Sequence, residues 1–275
     1  MDAQKLTQAL KIHPKVLGVQ APYWGIRPQF CCHVYDQVSS TNTELWLRLK
    51  QGGTSGTVVL SACQQAGRGQ RGHQWQSPVG GLYLSLGLEP DLPLDCSAQF
   101  TLASAWGIAT SLNNLTIPVQ LKWPNDLVIG RQKLGGILTE TRIEGGKIRA
   151  VVIGVGLNWI NSVPRGGVSL QQLCPEDLPY PLDTVENLAA IVLYGLIQGY
   201  VYWQSRGTEA LLEAYCSRLV NFGQLVSING QLSQVTGITS EGKIQIQSCH
   251  HGQGTGFSMV ELEPGEISLG YNTRG

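Results

Sequence analysis

The sequence predicts an α+β protein, in which a mixed or antiparallel sheet with flanking helices precedes a small β-barrel. Two observations support this fold class. Segments with helical spacing of apolar residues, such as 97–113, alternate with short β-branched or alternating segments that are typical of strands, such as 57–63 and 82–88. After Phe222 the helical spacing stops, and strand-length segments follow, separated by turn residues at 229–230, 241–242 and 252–256.

The first part of the chain is predicted to run from an extended lead-in to a strand that ends at Pro124. Residues 1–34 contain three prolines and little periodicity, which indicates extended structure. Thr41 and Glu44 have the spacing of a capping box, so a short helix is predicted to begin there and to end near Gly52. The next predicted elements are a strand (57–63), a glycine-rich loop (67–81), a strand (82–88), a helix (97–113) and a strand (119–123).

The rest of the chain is predicted to form hairpins, then helices, then a small all-β module. The predicted elements are a hairpin of 126–129 and 133–142 around Gly130, a turn at 145–146, a strand (148–159), a loop (161–181), a long helix ending at Gln204, a second helix (208–219) and the β module. Asp183 is predicted to cap the long helix. The predicted units are therefore a lead-in (1–34), a central domain (35–221) and a C-terminal β domain (222–275).

Composition excludes several classes of protein. The 275 residues carry 19 Lys plus Arg and 19 Asp plus Glu, and this zero net charge argues against a broadly basic nucleic-acid binder. The 42% hydrophobic content argues against a disordered chain. The longest apolar run, 189–197, is too short to cross a membrane, and the seven cysteines form no CxxC pair. We expect a cytoplasmic protein with reduced thiols and no membrane association.

A loop rich in glycine and arginine, residues 64–75, is the first candidate site. Its glycines free backbone N–H groups to point at an anion, and Arg68 and Arg71 add donors suited to carboxylate or phosphate. The loop matches neither the P-loop nor the GxGxxG pattern. A flexible surface hairpin with two solvated arginines is the alternative interpretation.

The second candidate follows the strand that ends at Pro124. Asn125 and Asp126 lie at the exit of this strand, where a carboxylate beside an amide can hold hydrated Mg²⁺. The alternative is an ordinary turn, which is the most common use of these residue types.

Two further segments combine strands with glycines. Lys133 opens a strand that contains Gly136, so another molecule could approach the backbone beside an ammonium group; an edge lysine that prevents strand pairing is the alternative. Gly154 and Gly156 alternate along an apolar strand and therefore lie on one face, and Asn158 offers a donor and an acceptor for a base edge. Close packing of another element on these glycines is the alternative.

Taken together, the four segments predict one pocket with an apolar, glycine-lined floor, two or three cations and one carboxylate. Such a pocket suits the condensation of an apolar carboxylic acid with a nucleotide phosphate.

The order of these motifs resembles that of the biotin–protein ligases. The family pattern is GRGRxGRxW followed by SPxGxxLxxS, KWPND, KLxGIL and GxGxN, and an STN precedes them. The corresponding residues here are 67–75, 77–85, 122–126, 133–138, 154–158 and 40–42, of which 77–85 is one residue shorter than the family pattern. The resemblance is strong over about residues 35–160.

This resemblance implies a fold and a reaction. The fold is a catalytic domain like that of class II aminoacyl-tRNA synthetases, followed by an SH3-like β-barrel. The implied substrates are biotin and ATP with Mg²⁺, which give biotinyl-5′-AMP and pyrophosphate, and the implied partner is the biotin carboxyl carrier protein of acetyl-CoA carboxylase. Because the resemblance begins near residue 35, we expect no DNA-binding domain and no DNA partner.

The resemblance also implies a role for each site residue. Arg68 and Lys133 bridge the carboxylate and the phosphate, and Lys122 contacts the triphosphate and favours the acyl transfer. Biotin is bound by Ser40, Thr41, Gln64, Gly67, Arg68, Lys133, Gly136, Gly154 and Gly156. ATP and the adenylate are bound by Arg68, Arg71, Trp75, Asn125, Lys133 and Asn158, with Mg²⁺ on Asp126.

The glycine-rich loop departs from the family pattern at two positions. Gln70 and His73 stand where the family has its second and third arginines, and Arg71, if the loop were extended, would point to the opposite side. We therefore hypothesise that the enzyme forms the adenylate but releases some of it, so that unrelated lysines become biotinylated.

The sequence leaves two other functions open. A lipoate or octanoyl transfer enzyme has a similar fold, and titration with biotin against lipoate would separate the two. A non-catalytic biotin or nucleotide sensor would bind its ligands without releasing pyrophosphate. Dimerisation through a sheet edge also stays open.

Overall fold

The structure is a computed structural model that describes residues 1–174, 178–228, 231–248 and 258–267. Its main feature is an eight-stranded mixed sheet with the strand order β1-β2-β3-β8-β7-β6-β5, in which β4 pairs with the beginning of β8. The strands are β1 (Cys31–Val38), β2 (Thr57–Gln64), β3 (Leu82–Leu88), β4 (Leu92–Pro93), β5 (Gln120–Lys122), β6 (Asp126–Ile129), β7 (Gln132–Glu144) and β8 (Lys147–Leu157). Only β1 and β2 run parallel among these pairs.

The two faces of this sheet are covered by different helices. Helix α2 (Thr41–Lys50) packs on one face, where Leu45 and Leu49 meet Val59 and Val152. On the other face lie α3 (Ser97–Asn114) and α5 (Val185–Cys216), which pack closely against each other. A Cβ atom at Gly107 would overlap the carbonyl oxygen of Gly195, so the glycines permit this close helix contact.

The predicted strands and the helices at 41–50 and 97–114 are confirmed, and so is the division near residue 207. Gly207 has a φ of 85° and a ψ of 173°, which interrupts the helical path of α5. The four-residue helix α4 (Leu170–Leu173) lies in the segment predicted as loop.

Both predicted helix caps are wrong. Ser40, rather than Thr41, precedes the first turn of α2, and Glu44 accepts hydrogen bonds from Tyr35 and Arg48 instead of closing a capping box. At α5 the Oγ1 atom of Thr184, not Asp183, accepts the bond from the backbone N–H of Asn187.

The prediction of an extended lead-in is also wrong. Helix α1 (Ala3–Ala9) begins after Asp2, whose carboxylate accepts the N–H groups of the first turn. Leu6, Leu17 and Val19 are buried in the main core with α3 and α5. Despite its prolines, the segment is amphipathic and covers the face of the sheet that carries α3 and α5.

The C-terminal residues form a separate four-stranded antiparallel sheet of order β12-β11-β10-β9. Its strands are β9 (Leu225–Ile228), β10 (Gln231–Ile238), β11 (Ile244–Ser248) and β12 (Met259–Leu262). Gln99 donates to Ser240 O at 2.7 Å and Trp123 donates to Gly242 O at 2.8 Å, so this sheet contacts α3 and the end of β5. The predicted turns at 229–230 and 252–256 lie outside the described residues, and the barrel and the domain boundaries stay predictions.

No helix in the described part of the chain is long and apolar enough to cross a membrane.

Candidate functional site

A cavity of about 320 Å³ opens on the face of the sheet that carries α2. Thirteen of the sequence-predicted site residues line it, and they come from the beginning of α2, the glycine-rich loop, the β5–β6 turn and strands β7 and β8. They are Ser40, Thr41, Gln64, Arg68, Arg71, Trp75, Lys122, Asn125, Asp126, Lys133, Gly136, Gly154 and Gly156. The predicted convergence of the arginine loop and the lysine-led strand on one cleft is therefore present in the fold.

Three glycines form the floor of the cavity. Gly136 lies directly opposite Gly156 in the pairing of β7 with β8, and Gly154 is two residues along on the same face. A Cβ atom at Gly156 would overlap the indole of Trp75, and one at Gly154 would overlap the amide of Asn42. The bare strand thus accommodates side chains from the loop and from α2 at close range.

The glycine-rich loop is a hairpin that closes over this floor. Trp75 N donates to Gly67 O at 2.9 Å, and a Cβ atom at Gly67 would overlap Trp75 O. Arg71 is in the left-handed region with a φ of 58°, and its guanidinium donates to Gly265 O at 3.4 Å. The expectation of Arg71 on the opposite side assumed an extended loop; because the loop turns here, Arg71 and Gln70 both line the cavity.

The indole of Trp75 connects the loop to strand β7, which carries Lys133. Lys133 Nζ lies 5.3 Å from the centre of its ring, within cation–π range. Trp75 Nε1 is buried and has no hydrogen-bond partner among the described residues. A buried donor of this kind is expected to find its partner in a bound ligand.

A hydrogen-bonded polar group marks the end of the cavity beside α2. Gln64 Oε1 accepts from Thr41 N at 2.8 Å, and Gln64 Nε2 donates to Ser77 Oγ at 2.8 Å. Ser85 Oγ lies 2.8 Å from Thr41 Oγ1, within hydrogen-bond distance, and Ser40 and Thr41 are buried. This cluster is suited to a neutral polar ring, which needs both donors and acceptors when it is buried.

Two cations of the cavity have carboxylate partners. Lys133 Nζ lies 2.6 Å from Asp126 Oδ1, and Arg68 Nη1 lies 3.0 Å from Glu140 Oε1. Burial lowers the pKa of Lys122, the charge of Asp126 opposes this shift, and the charge of Lys133 reinforces it. Such a set of half-buried positive groups can stabilise two substrate anions brought together.

Asn125 and Asp126 differ in their use. Asn125 Nδ2 donates to Ile137 O at 2.7 Å, which fixes the β5–β6 turn against β7. In the described part of the chain, no group of three or more His, Cys, Asp or Glu side chains is placed to hold a metal ion. The single carboxylate of Asp126 fits Mg²⁺ that arrives with phosphate oxygens, since Mg²⁺ commonly binds through one or two carboxylates and its nucleotide.

Two predicted residues are not among those that line the cavity. Gly67 belongs to the glycine-rich loop but does not line the cavity. Asn158 is buried, and its amide group bonds to Lys133 O, Val168 O and Asn161. These bonds give Asn158 a structural role in joining β7 to the following loop. Its reading of adenine stays a prediction that this geometry does not support.

Several lining residues were not predicted from the sequence. Asn42 is the last residue of the STN motif at 40–42, so the motif itself pointed to its position in the cavity. Pro264, Gly265 and Ile267 come from the C-terminal module and form a wall of the cavity. No local pattern connects these residues to the loop, because the contact depends on how the two sheets meet.

Comparison with known proteins finds a family profile and relatives that agree with each other. The sequence profile of the biotin/lipoate A/B protein ligase family matches residues 34–158. The bifunctional ligase/repressor BirA of Bacillus subtilis is 37% identical over 133 residues, which are 48% of this chain and 41% of that protein. This chain thus spans less than half of the length of that relative.

Two relatives are covered over most of their length. The biotin–[acetyl-CoA-carboxylase] ligase of Paracoccus denitrificans is 33% identical over 68% of this chain and 80% of its own length. The ligase of the same name from Mycobacterium tuberculosis is 35% identical over 71% and 73%, respectively.

A solved structure shows the same fold. The biotin protein ligase of Aquifex aeolicus in complex with biotin and ATP superposes with a TM-score of 0.62 and 22% identity, over 84% of this chain and 98% of that one. With the fold, the family profile and relatives matched over most of their length in agreement, the chain belongs to the biotin/lipoate A/B protein ligase family.

Proposed function

We propose that the protein is a biotin–protein ligase that activates biotin with Mg·ATP and transfers the biotinyl group to a lysine of biotin carboxyl carrier protein. The observation that carries the proposal is the position of Arg68 and Lys133, which line one glycine-floored cavity from the glycine-rich loop and from strand β7. The Paracoccus and Mycobacterium relatives carry the name biotin–[acetyl-CoA-carboxylase] ligase.

The first step joins two anions. A carboxylate oxygen of biotin attacks the α-phosphorus of ATP, the new O–P bond gives biotinyl-5′-AMP, and the bond to the β-phosphate oxygen breaks to release pyrophosphate. Arg68 and Lys133 offset the negative charge that gathers on the pentavalent phosphorus. Both cations have carboxylate partners, Glu140 and Asp126, which keep them in place before the substrates arrive.

Biotin is expected to lie along the glycine floor. Its ureido ring would meet Ser40, Thr41 and Gln64, and its carboxylate would extend towards Arg68 and Lys133. Gly136, where a Cβ atom would meet no atom closer than 3.5 Å, leaves room for the apolar chain, and Gly154 and Gly156 allow Asn42 and Trp75 to lie against the floor beside it. Arg71, Trp75 and Asn125 are assigned to the nucleotide.

Lys122 has two proposed roles. It contacts the triphosphate, and in the second step it favours attack by the carrier lysine, whose neutral amine bonds to the acyl carbon while AMP leaves and the proton lost by that amine passes to the deprotonated Lys122. Burial lowers its pKa, so it gives up a proton more readily than an exposed lysine. Mg²⁺ would shield the charge of the phosphates when bound, with Asp126 as its protein ligand.

Pyrophosphate release tests the proposal. Purified protein with biotin and Mg·ATP is expected to release pyrophosphate, and lipoate in place of biotin is not. Lys133→Gln is expected to lower the rate about 100-fold or more, because a preorganised charge is lost at the reacting centre. Lys147→Gln, which removes a lysine paired with Asp91 on the surface, should leave the rate unchanged.

The same assay decides between the other functions. Release with lipoate instead of biotin would indicate a lipoate ligase. Biotin binding without pyrophosphate release would indicate a sensor. Mass spectrometry of the carrier domain after incubation tests the second step, and sedimentation tests a homodimer through the outer edge of β1, which ends the sheet.

A further inference from the structure

Glu140 holds the guanidinium of Arg68 in a two-point contact. Arg68 Nη1 lies 3.0 Å from Glu140 Oε1, and Nη2 lies 3.0 Å from Oε2. Glu140 lies on β7 opposite Val152, so its side chain is on the α2 face together with Gly136 and Gly154. The carboxylate is therefore on the same face as the floor of the cavity, four residues along the strand from Gly136.

The position of this carboxylate is fixed independently of Arg68. Asn42 Nδ2 donates to Glu140 Oε2 at 2.9 Å, and Trp46 Nε1 donates to the same oxygen at 3.1 Å. Asn42 is itself buried and accepts a bond from Ser85 Oγ at 2.6 Å. Two neutral donors from α2 thus hold Glu140 in place before the loop contributes its arginine.

This arrangement differs from an ordinary surface ion pair. Isolated exposed pairs contribute little, because two long side chains must be ordered in water. Here the carboxylate is already ordered, and the planar fork of arginine matches it at both oxygens. Of the five N–H groups of a guanidinium, two bind Glu140, and the other three have no partner among the described residues.

We propose that Glu140 is a positioning residue for the first step of the reaction, which holds Arg68 at the biotin slot so that its other N–H groups meet the carboxylate and the α-phosphate. This inference rests on the proposed function. It extends the site to the chain Ser85–Asn42–Glu140–Arg68, which connects β3, α2, β7 and the glycine-rich loop.

Glu140→Gln tests the proposal. Glutamine keeps the shape and one acceptor for Asn42 and Trp46, but its NH₂ group cannot accept from Arg68. We expect kcat/KM for biotin-dependent pyrophosphate release to fall about 10- to 100-fold, since a small misplacement of a reacting group has an effect of this order. Glu144→Gln is the matched control: it removes an exposed carboxylate of the same strand, paired with Arg142 at 3.2 Å, and should match the wild type.

A double-mutant cycle separates positioning from a general structural effect. In an Arg68→Gln background, Glu140→Gln should cause no further loss, because its action passes through Arg68. Equal losses in both backgrounds, or wild-type kinetics in Glu140→Gln alone, would overturn the proposal.

Measurements on the wild type distinguish a failure of the proposed function from a failure of the role of Glu140. A wild type that binds biotin but releases no pyrophosphate overturns the proposed function, and the same cycle is then read in the Kd for biotin, where additive effects still overturn the role of Glu140. A wild type that binds no biotin overturns both.

Discussion

At the scale of single residues, the site is organised by pairs of opposite charge. Lys133 pairs with Asp126 at 2.6 Å, and Arg68 pairs with Glu140 at 3.0 Å. Lys133 is partly buried, so Asp126 offsets the cost of its desolvation, whereas Arg68 is exposed and Glu140 chiefly fixes its position. The anions of the substrates then add to, or replace, contacts that the protein already makes.

Lys122 leads to a prediction on pH. Its pKa is lowered chiefly by burial, so its charge is complete at low pH and is lost as the pH rises through a range below the ordinary lysine value of 10.5. Triphosphate binding needs that charge, and we expect the affinity for ATP to fall over this range. Lys122→Arg stays protonated and should flatten the profile, which calorimetric titration with ATP from pH 7 to about 10 measures.

The control for this measurement is Lys147→Arg, which alters a surface lysine and should keep the wild-type profile. The free energy of unfolding should rise with pH over the same range, because the unfolded chain binds that proton more tightly than the folded one. Identical ATP profiles for the wild type and Lys122→Arg would show that Lys122 does not control the alkaline decline.

At the scale of elements, strand β8 provides a surface on which the loop rests. A Cβ atom at Gly156 would overlap the Trp75 indole, so Gly156→Ala is expected to push Trp75 and the loop away from the floor. We expect the affinity for biotin to fall about tenfold or more, measured by calorimetric titration. Gly25→Ala, at an exposed site where nothing lies within 4 Å of the new methyl group, should bind as the wild type.

The glycine-rich loop carries the prediction on retention of the adenylate. Gln70 lines the cavity in a short 3₁₀ turn (Gln70–Gly72), where the family pattern has a cation. A neutral amide holds a phosphate less strongly than a guanidinium does. We expect Gln70→Arg to reduce biotinylation of an unrelated protein such as albumin, measured by blotting with streptavidin, relative to the wild type.

The carrier protein in the same reaction provides the reference for this comparison. It should be labelled equally by both forms, so that only the labelling of albumin changes. If the wild type labels only the carrier, and does so as cleanly as Gln70→Arg, the loop retains the adenylate without the missing arginine.

At the scale of the whole molecule, the sequence predicted what depends on local pattern. Strand alternation, the turn glycines and the order of the motifs located the sheet and thirteen lining residues. The conformation of Arg71, the contact of Gly265 with the loop and the Glu140 pair depend on distant segments meeting, which no short pattern encodes. The N-terminal lead-in was misjudged because its prolines outweighed the few apolar residues that the fold buries.

That N-terminal segment gives a prediction which separates stability from the site. Leu17 is 0% exposed and packs with α3 and α5, on the face of the sheet opposite to the cavity, whereas its neighbour Val16 is 38% exposed. Leu17→Ala is expected to lower the free energy of unfolding by about 2–5 kcal/mol, since it leaves a cavity in a packed core. Val16→Ala should change it by less than about 0.5 kcal/mol. Urea unfolding measures both.

The affinity for biotin provides the second measurement on these variants. Below the unfolding transition, Leu17→Ala should bind biotin as the wild type does, because the mutated side chain lies across the sheet from the α2 face. A Leu17→Ala protein as stable as the wild type would show that residues 1–30 do not belong to the core. A folded Leu17→Ala protein with weakened biotin binding would show instead that the two faces of the sheet are coupled. The N-terminal segment would then act on the site through β3 and β8.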